Sequence, residues 1–339
     1  MPQNGSPQIF GFDELTVWRT ALPDVQVAAL PPANNRPNPL VAADKVFVSI
    51  FSPGSVCALD LGTGRIVWRR ELPKFAGASV YFNAGRLFAK CPHTLYALSP
   101  DSGEILWSFS PCGEQGEWIY SSPAVHQGSL YIGDRRGYLH CLDAESGRAR
   151  WKQRTNTAAN ASVNSTPILH DGLVIVPTNA SLVVAYEWQT GKPAWHQPVD
   201  GPSVFGPLLH KELLVVVAVE SVYFLDPSTG STRQHFQWKG DKIAFAESTP
   251  HNVLVGLHGT GPARGSSQVI LLNESGVYGN TKLSGFCLHS RYSNETRTVY
   301  VSHLQGVDLC VPESMAVICR LATSGGGAGI GLVDVHSRR

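Results

Sequence analysis

Between residues 121 and 154 apolar and polar positions alternate in short bursts, SPAV, SLYIGD, YLHCLD and RARWKQR, separated by HQG, RRG and AESG. A period of two over so few residues predicts half-buried strands, and the glycine-bearing separators predict tight turns. Four strands with short links predict one antiparallel sheet. Nowhere is a 3.6-residue period sustained, so no long helix is expected.

The same burst recurs along the chain. ALDLGTGRIVW ends at Trp68, ALSPDSGEILW at Trp107, CLDAESGRARW at Trp151 and AYEWQTGKPAW at Trp195, with a fainter FLDPSTGSTRQ ending at Gln234. The turn glycines Gly64, Gly103, Gly147, Gly191 and Gly230 are spaced by 39, 44, 44 and 39 residues. LLNESG places Gly276 in the same slot, and VPESMAVIC puts Met315 there with Cys319 in the tryptophan slot. A period near ~42 built from short strands predicts a β-propeller of four-stranded antiparallel blades. The copies predict seven blades. A regular ring of eight is the alternative, with the termini completing a partial blade. Residues 1–339 then form a single domain, with a closing strand in 1–22 around Trp18, and a Gly-rich connector and a closing strand in 323–339. SGGGAGIG lacks the Lys-Ser/Thr of a phosphate loop.

Within each copy the acidic and hydroxyl residues before the glycine are expected to accept hydrogen bonds from the turn's own N–H groups. The tryptophans are expected to fill the space between neighbouring sheets, each contributing roughly 1.5–3 kcal/mol from buried area. Prolines 39, 123, 167, 207 and 250 mark the start of the innermost strands. Histidines 126, 170 and 210 follow three residues later and are expected on turn surfaces rather than sharing a metal.

Composition narrows the function. Charged residues are 16% of the chain and the net charge is +1, which gives no footprint for nucleic acid. No run approaches the ~20 apolar residues of a membrane span. The N-terminus, MPQNGSPQIFGFDELTVW, shows neither a signal pattern nor a lipid-accepting cysteine, so a cytoplasmic location is expected, or a periplasmic one if a leader has been removed. The seven cysteines are never adjacent or spaced CxxC, which predicts free buried thiols. GxSxG, HExxH and P-loop patterns are missing.

The LyALD-x-x-TG-x-x-x-W pattern resembles the repeat of the PQQ-type, quinoprotein-like β-propellers, over about residues 38 to 320. That family includes quinone-dependent alcohol dehydrogenases and BamB-like non-enzymatic scaffolds of outer-membrane assembly. The resemblance implies the fold. A quinoprotein site would carry a vicinal cysteine pair and carboxylate and amide ligands for calcium, and this chain has no such cysteine pair. No cofactor is therefore expected, with PQQ plus calcium as the alternative.

Binding is expected on the loops before the phased prolines, where residues vary while the scaffold repeats. They offer Arg36, Asn38, Trp118, Tyr120, Ser121, Asn164, Ser165, Phe205, Glu247 and Ser248. Arg36, Tyr120, Asn164 and Glu247 share one phase, three residues before proline. Such a ring of polar groups suits a polar small molecule or an extended peptide, or it bonds to itself and to water. The leading expectation is a monomeric, non-catalytic scaffold that binds a protein or peptide by its channel face or blade edges. The alternatives are a ligand-sensing accessory module and a quinoprotein-like oxidoreductase.

Overall fold

The computed structural model describes residues 16–21, 40–50, 54–72, 80–111, 119, 121–156, 161–203, 205–238, 241–248, 253–259, 266–273, 275–284, 287–293, 298–303, 316–322 and 328–334. Every regular element among them is a β-strand, and no helix long and apolar enough to cross a membrane occurs there. Six four-stranded antiparallel sheets follow one another, each with its strands in chain order. The first is Leu40–Ala42, Lys45–Ile50, Ser55–Asp60 and Ile66–Glu71. The second is Val80–Asn83, Arg86–Lys90, Leu95–Leu98 and Ile105–Phe109, and the third is Ala124–His126, Ser129–Gly133, Tyr138–Asp143 and Ala149–Arg154. The fourth is Ile168–His170, Leu173–Thr178, Leu182–Glu187 and Pro193–Pro198, and the fifth is Leu208–His210, Leu213–Val217, Ser221–Leu225 and Thr232–Gln237. Longer strands, Asp241–Ser248, Val253–Gly259, Ser266–Asn273 and Gly276–Ser284, make the sixth.

The chain divides into two compact units, residues 1–80 with 288–339, and residues 81–287. In the first, Thr16–Ala21 pairs with Ala328–Asp334, which pairs in turn with Ala316–Ala322. Trp18 lies opposite Leu332 and Thr16 opposite Val333, skipping a residue as Trp68 and Ile66 do opposite Ala58 and Leu59. The pairing that the repeat gives its tryptophan strand thus falls to Thr16–Ala21, around Trp18, while Cys319 lies on the strand paired to the other side of Ala328–Asp334. Residues 328–331 of the glycine run are strand.

In the second unit the core lies between successive sheets. Leu130 and Ile132 pack with Phe88 and Leu95 of the second sheet, while Tyr131, from the alternate position, packs with Val174 and Val184 of the fourth. Ile175 and Leu214 join the fourth sheet to the fifth, and Phe224 and Val255 the fifth to the sixth. The Ser129–Gly133 strand is therefore buried throughout rather than half-buried. Alternation there sorts side chains between two apolar neighbours, because both faces of the sheet are covered. The fourth strands of the third, fourth and fifth sheets instead alternate between exposed and half-buried positions, as Ala149–Arg154 does.

The repeated hairpin is built from its own side chains. Asp60 Oδ1 accepts from the Thr63 N–H and hydroxyl, both at 2.7 Å, and Asp143 Oδ1 accepts from the Ser146 N–H at 2.8 Å and hydroxyl at 2.7 Å. Arg150 and Arg233 reach back to Asp143 and Asp226 at 2.6 and 2.7 Å. The Thr63 hydroxyl holds the Asp60 carboxyl below the ordinary carboxylate range, Arg150 and then Ser146 do so for Asp143, and Arg233 for Asp226. Such groups stabilise the fold fully above the unfolded carboxylate value, near pH ~4, and lose that contribution as pH falls through the folded values. Asp143→Asn is expected to flatten the acid side of a Tm-versus-pH curve taken from about pH 5 to pH 2. An acid limb identical to wild type would contradict this.

Trp107, Trp151 and Trp195 each dock on the next hairpin. Trp107 Nε1 donates to Ala144 O at 3.3 Å, Trp151 to Trp188 O at 3.0 Å and Trp195 to Pro227 O at 3.0 Å. Under those rings lie Gly147, Gly191 and Gly230, with φ of +70°, +70° and +74°. A Cβ there would stand 2.6, 2.8 and 2.4 Å from the indole. Glycine is thus required twice, by the left-handed turn and by the ring above it.

Candidate functional site

The loops before the innermost strands use much of their polarity internally. Ser121 is fully buried; its Oγ receives the Gly133 N–H at 2.6 Å and donates to Gly133 O at 3.3 Å. Ser165 is 2% exposed and donates to Phe205 O at 2.8 Å, tying the loop before the fourth sheet to the loop before the fifth. The Phe205 ring packs against the fifth-to-sixth cluster. Ser248 lies 3.1 Å from His210 Nδ1. His210 is 1% exposed, so the turn-surface expectation fails for it: its ring points into the space between sheets. Ser165 and Phe205 are brought together, as are His210 and Ser248, and of the expected polar ring only the Asn164 side chain is among those described. Arg36, Asn38, Trp118 and Tyr120 lie outside the described residues, as does the side chain of Glu247. Asn164 and Asn179 each hold a buried amide oxygen without a protein partner, and the Asn179 N–H donates to Ser162 O at 3.0 Å in the same group of loops.

A buried pair escaped the sequence reading. Asp134 is fully buried in the turn after Ser129–Gly133, and its Oδ2 lies 2.8 Å from His140 Nε2. Its Oδ1 accepts the Tyr138 N–H at 2.9 Å. Phe109 meets the His140 ring edge-on at 5.3 Å. The signal was present: YLHCLD sets a histidine at a strand position that is tyrosine in TLYALS.

That position leads to a cleft. Just before the residue opposite the tryptophan slot, the third strands carry Tyr96, His140, Val184 and Tyr223 in the second to fifth sheets. Between the fourth and fifth sheets the space is filled. Tyr223 is 5% exposed, its hydroxyl accepts the Asp200 N–H at 2.9 Å, and its ring stacks on His235 at 4.2 Å. Asp200 Oδ2 completes the cluster 3.0 Å from His235 Nε2. Burial, followed by the Asp200 side chain, pushes the Tyr223 phenol up to about 12. Between the third and fourth sheets Val184 replaces the tyrosine, and a cleft of about 460 Å³ remains, lined by Arg154, Asn156, Leu182, Val184, Tyr186 and His196, among others. His196 pairs with Val184 as His235 pairs with Tyr223.

The cysteines that can be described, Cys57, Cys91 and Cys141, are free and buried. Burial pushes the Cys57 and Cys91 thiols up to about 11 and about 12, far from a reactive thiolate.

The family model described as outer membrane protein assembly factor BamB matches residues 92–235 and, overlapping, 158–298, together more than half of the 339-residue chain. This chain belongs to the BamB-like PQQ-repeat family. Outer membrane protein assembly factor BamB of Escherichia coli K12 is 32% identical over 120 residues, 35% of this chain and 29% of that protein. The match thus spans less than a third of that relative's length. Among solved structures, BamB from Moraxella catarrhalis aligns with a TM-score of 0.63 at 15% identity, covering 86% of this chain and 82% of that one. Quinohemoprotein alcohol dehydrogenase from Pseudomonas putida HK5 aligns with a TM-score of 0.63 at 12% identity, covering 96% of this chain and 76% of that one. The fold class of this BamB-like chain is the all-β propeller. Its relatives correct one expectation: they are outer membrane assembly factors, which points to the periplasm and overturns the cytoplasmic placement drawn from the N-terminus. A leader pattern was the only sequence signal consulted, and the repeat itself says nothing of compartment.

Proposed function

We propose that this chain is a non-catalytic scaffold of outer-membrane protein assembly, holding an extended polypeptide segment along the outer edges of its sheets. One observation carries the reading. Two and three residues after the turn glycine, the fourth strands of the first and second sheets expose apolar side chains: Ile66 at 41%, Val67 at 49%, Ile105 at 39% and Leu106 at 46%. At the same positions the third and fifth sheets have Ala149 with Arg150 and Thr232 with Arg233, whose arginines fold back onto the hairpin aspartates. The outermost strands of the first two sheets thus present apolar side chains at the sheet edge, the chemistry by which a sheet accepts an added strand. The kinship with assembly factors agrees with a protein partner.

A calcium-bound quinone does not fit the described residues. No three of their histidine, cysteine, aspartate or glutamate side chains converge as a metal-holding group, and the described cysteines are single and buried.

The test is co-purification from detergent-solubilised cell envelope with wild type, Val67→Asp and Leu106→Asp. Both variants are at exposed positions and are expected to keep the wild-type Tm while at least one lowers partner recovery severalfold. Equal recovery by all three would contradict edge binding.

A further inference from the structure

The cleft between the third and fourth sheets has an internal template for its occupant. In the next inter-sheet space the same register positions are closed by the chain's own Tyr223, stacked on His235, with the Asp200 carboxylate against the imidazole. In the cleft Val184 leaves the ring's place open, His196 stands where His235 stands, and Asn156 lies two residues past its strand as Asp200 does past the next sheet's fourth strand. Two template groups are therefore absent at these positions, the ring that Tyr223 supplies and the carboxylate that Asp200 supplies. Its lining includes Arg154 and His196 and no acidic residue. Leu182, Val184 and the Tyr186 ring, whose hydroxyl donates to Arg154 O at 3.3 Å, give it an apolar lining, and 460 Å³ is within the range of about 300–1,000 Å³ that small ligand sites occupy.

We propose that this cleft receives a tyrosine side chain from an extended partner segment, with a neighbouring aspartate or glutamate of that segment meeting Arg154 and His196. The inserted ring stacks on His196 as Tyr223 stacks on His235, over the apolar floor. The adjacent carboxylate restores the charge that Asp200 supplies in the template, and complementary charge at the rim fixes the direction of the segment. The inference deepens the scaffold reading and rests on it, since it names a side chain by which a bound segment is recognised.

The experiment uses the full chain and the probe acetyl-Ser-Asp-Tyr-Asp-Ser-amide, with the peptide carrying alanine in place of tyrosine as control. Binding is followed by calorimetry and by ¹H–¹⁵N chemical-shift changes. The tyrosine peptide is expected to bind wild type at submillimolar Kd and the alanine peptide at least tenfold more weakly. Val184→Tyr, which rebuilds the template ring, is expected to abolish binding without lowering Tm. His196→Ala, at an exposed position, is expected to weaken binding several-fold and serves if Val184→Tyr does not fold. No binding of the tyrosine peptide to wild type, or equal binding by both variants, would overturn the proposal. If envelope partners are still recovered normally by Val184→Tyr, the cleft assignment fails and the scaffold reading stands.

Discussion

Gly230→Ala is expected to destabilise the protein by about 2–4 kcal/mol, the sum of left-handed strain on a residue with a Cβ and overpacking against a ring. The turn holds Gly230 at φ +74°, and the new Cβ would lie 2.4 Å from Trp195 Cε3. Relaxation is hindered because the Trp195 indole N–H is committed to Pro227 O at 3.0 Å, in the same hairpin. Moving the ring away breaks that bond, and keeping the ring forces the turn out of its loop. Gly172→Ala separates the two causes. It has φ +83° with nothing within 4 Å of the added atom, so it should lose only the backbone share, about 1–2 kcal/mol. Chemical denaturation of the two variants checks both values. Equal losses would show that the ring does not press on the turn.

Asp134→Ala is expected to cost more, about 3–5 kcal/mol, as for removal of one partner of a buried polar or ionic pair. Two groups are stranded and a cavity opens. His140, 3% exposed, loses the acceptor 2.8 Å from Nε2, the Tyr138 N–H loses its bond to Oδ1, and the removed carboxylate leaves a void in a fully buried turn. Asp134→Asn keeps the shape and one acceptor, so it should retain part of the lost stability. Denaturation midpoints for the two variants test this, and a loss below about 1 kcal/mol for alanine would mean that water replaces the carboxylate freely.

The strands and hairpins were legible because they depend on local chemistry. DAESG and DPSTG announce turns whose hydrogen bonds close within five residues, as Asp143 with Ser146 and Asp226 with Thr229 show. The tryptophan period was equally readable, but not its partner: that Trp151 rests on Gly191 and bonds to Trp188 O depends on the adjacent sheet. For the site, the phased prolines pointed to loops that do meet, as Ser165 and Phe205 do. Residue type alone could not distinguish a hydroxyl free for a ligand from one spent on a carbonyl, and Ser121 is spent. The cleft was hidden for a related reason. A valine at position 184 looks like any core valine until its register partners in the other sheets prove to be Tyr96, His140 and Tyr223.

The second, third and fourth sheets are each fastened to the next by an indole seated on a turn glycine. A double-mutant cycle between Gly230 and Trp195 tests it most directly. Gly230→Ala is expected to cost about 2–4 kcal/mol in wild type but only about 1–2 kcal/mol in a Trp195→Ala background, where the backbone strain remains and the ring is gone. The same cost in both backgrounds would contradict the claim.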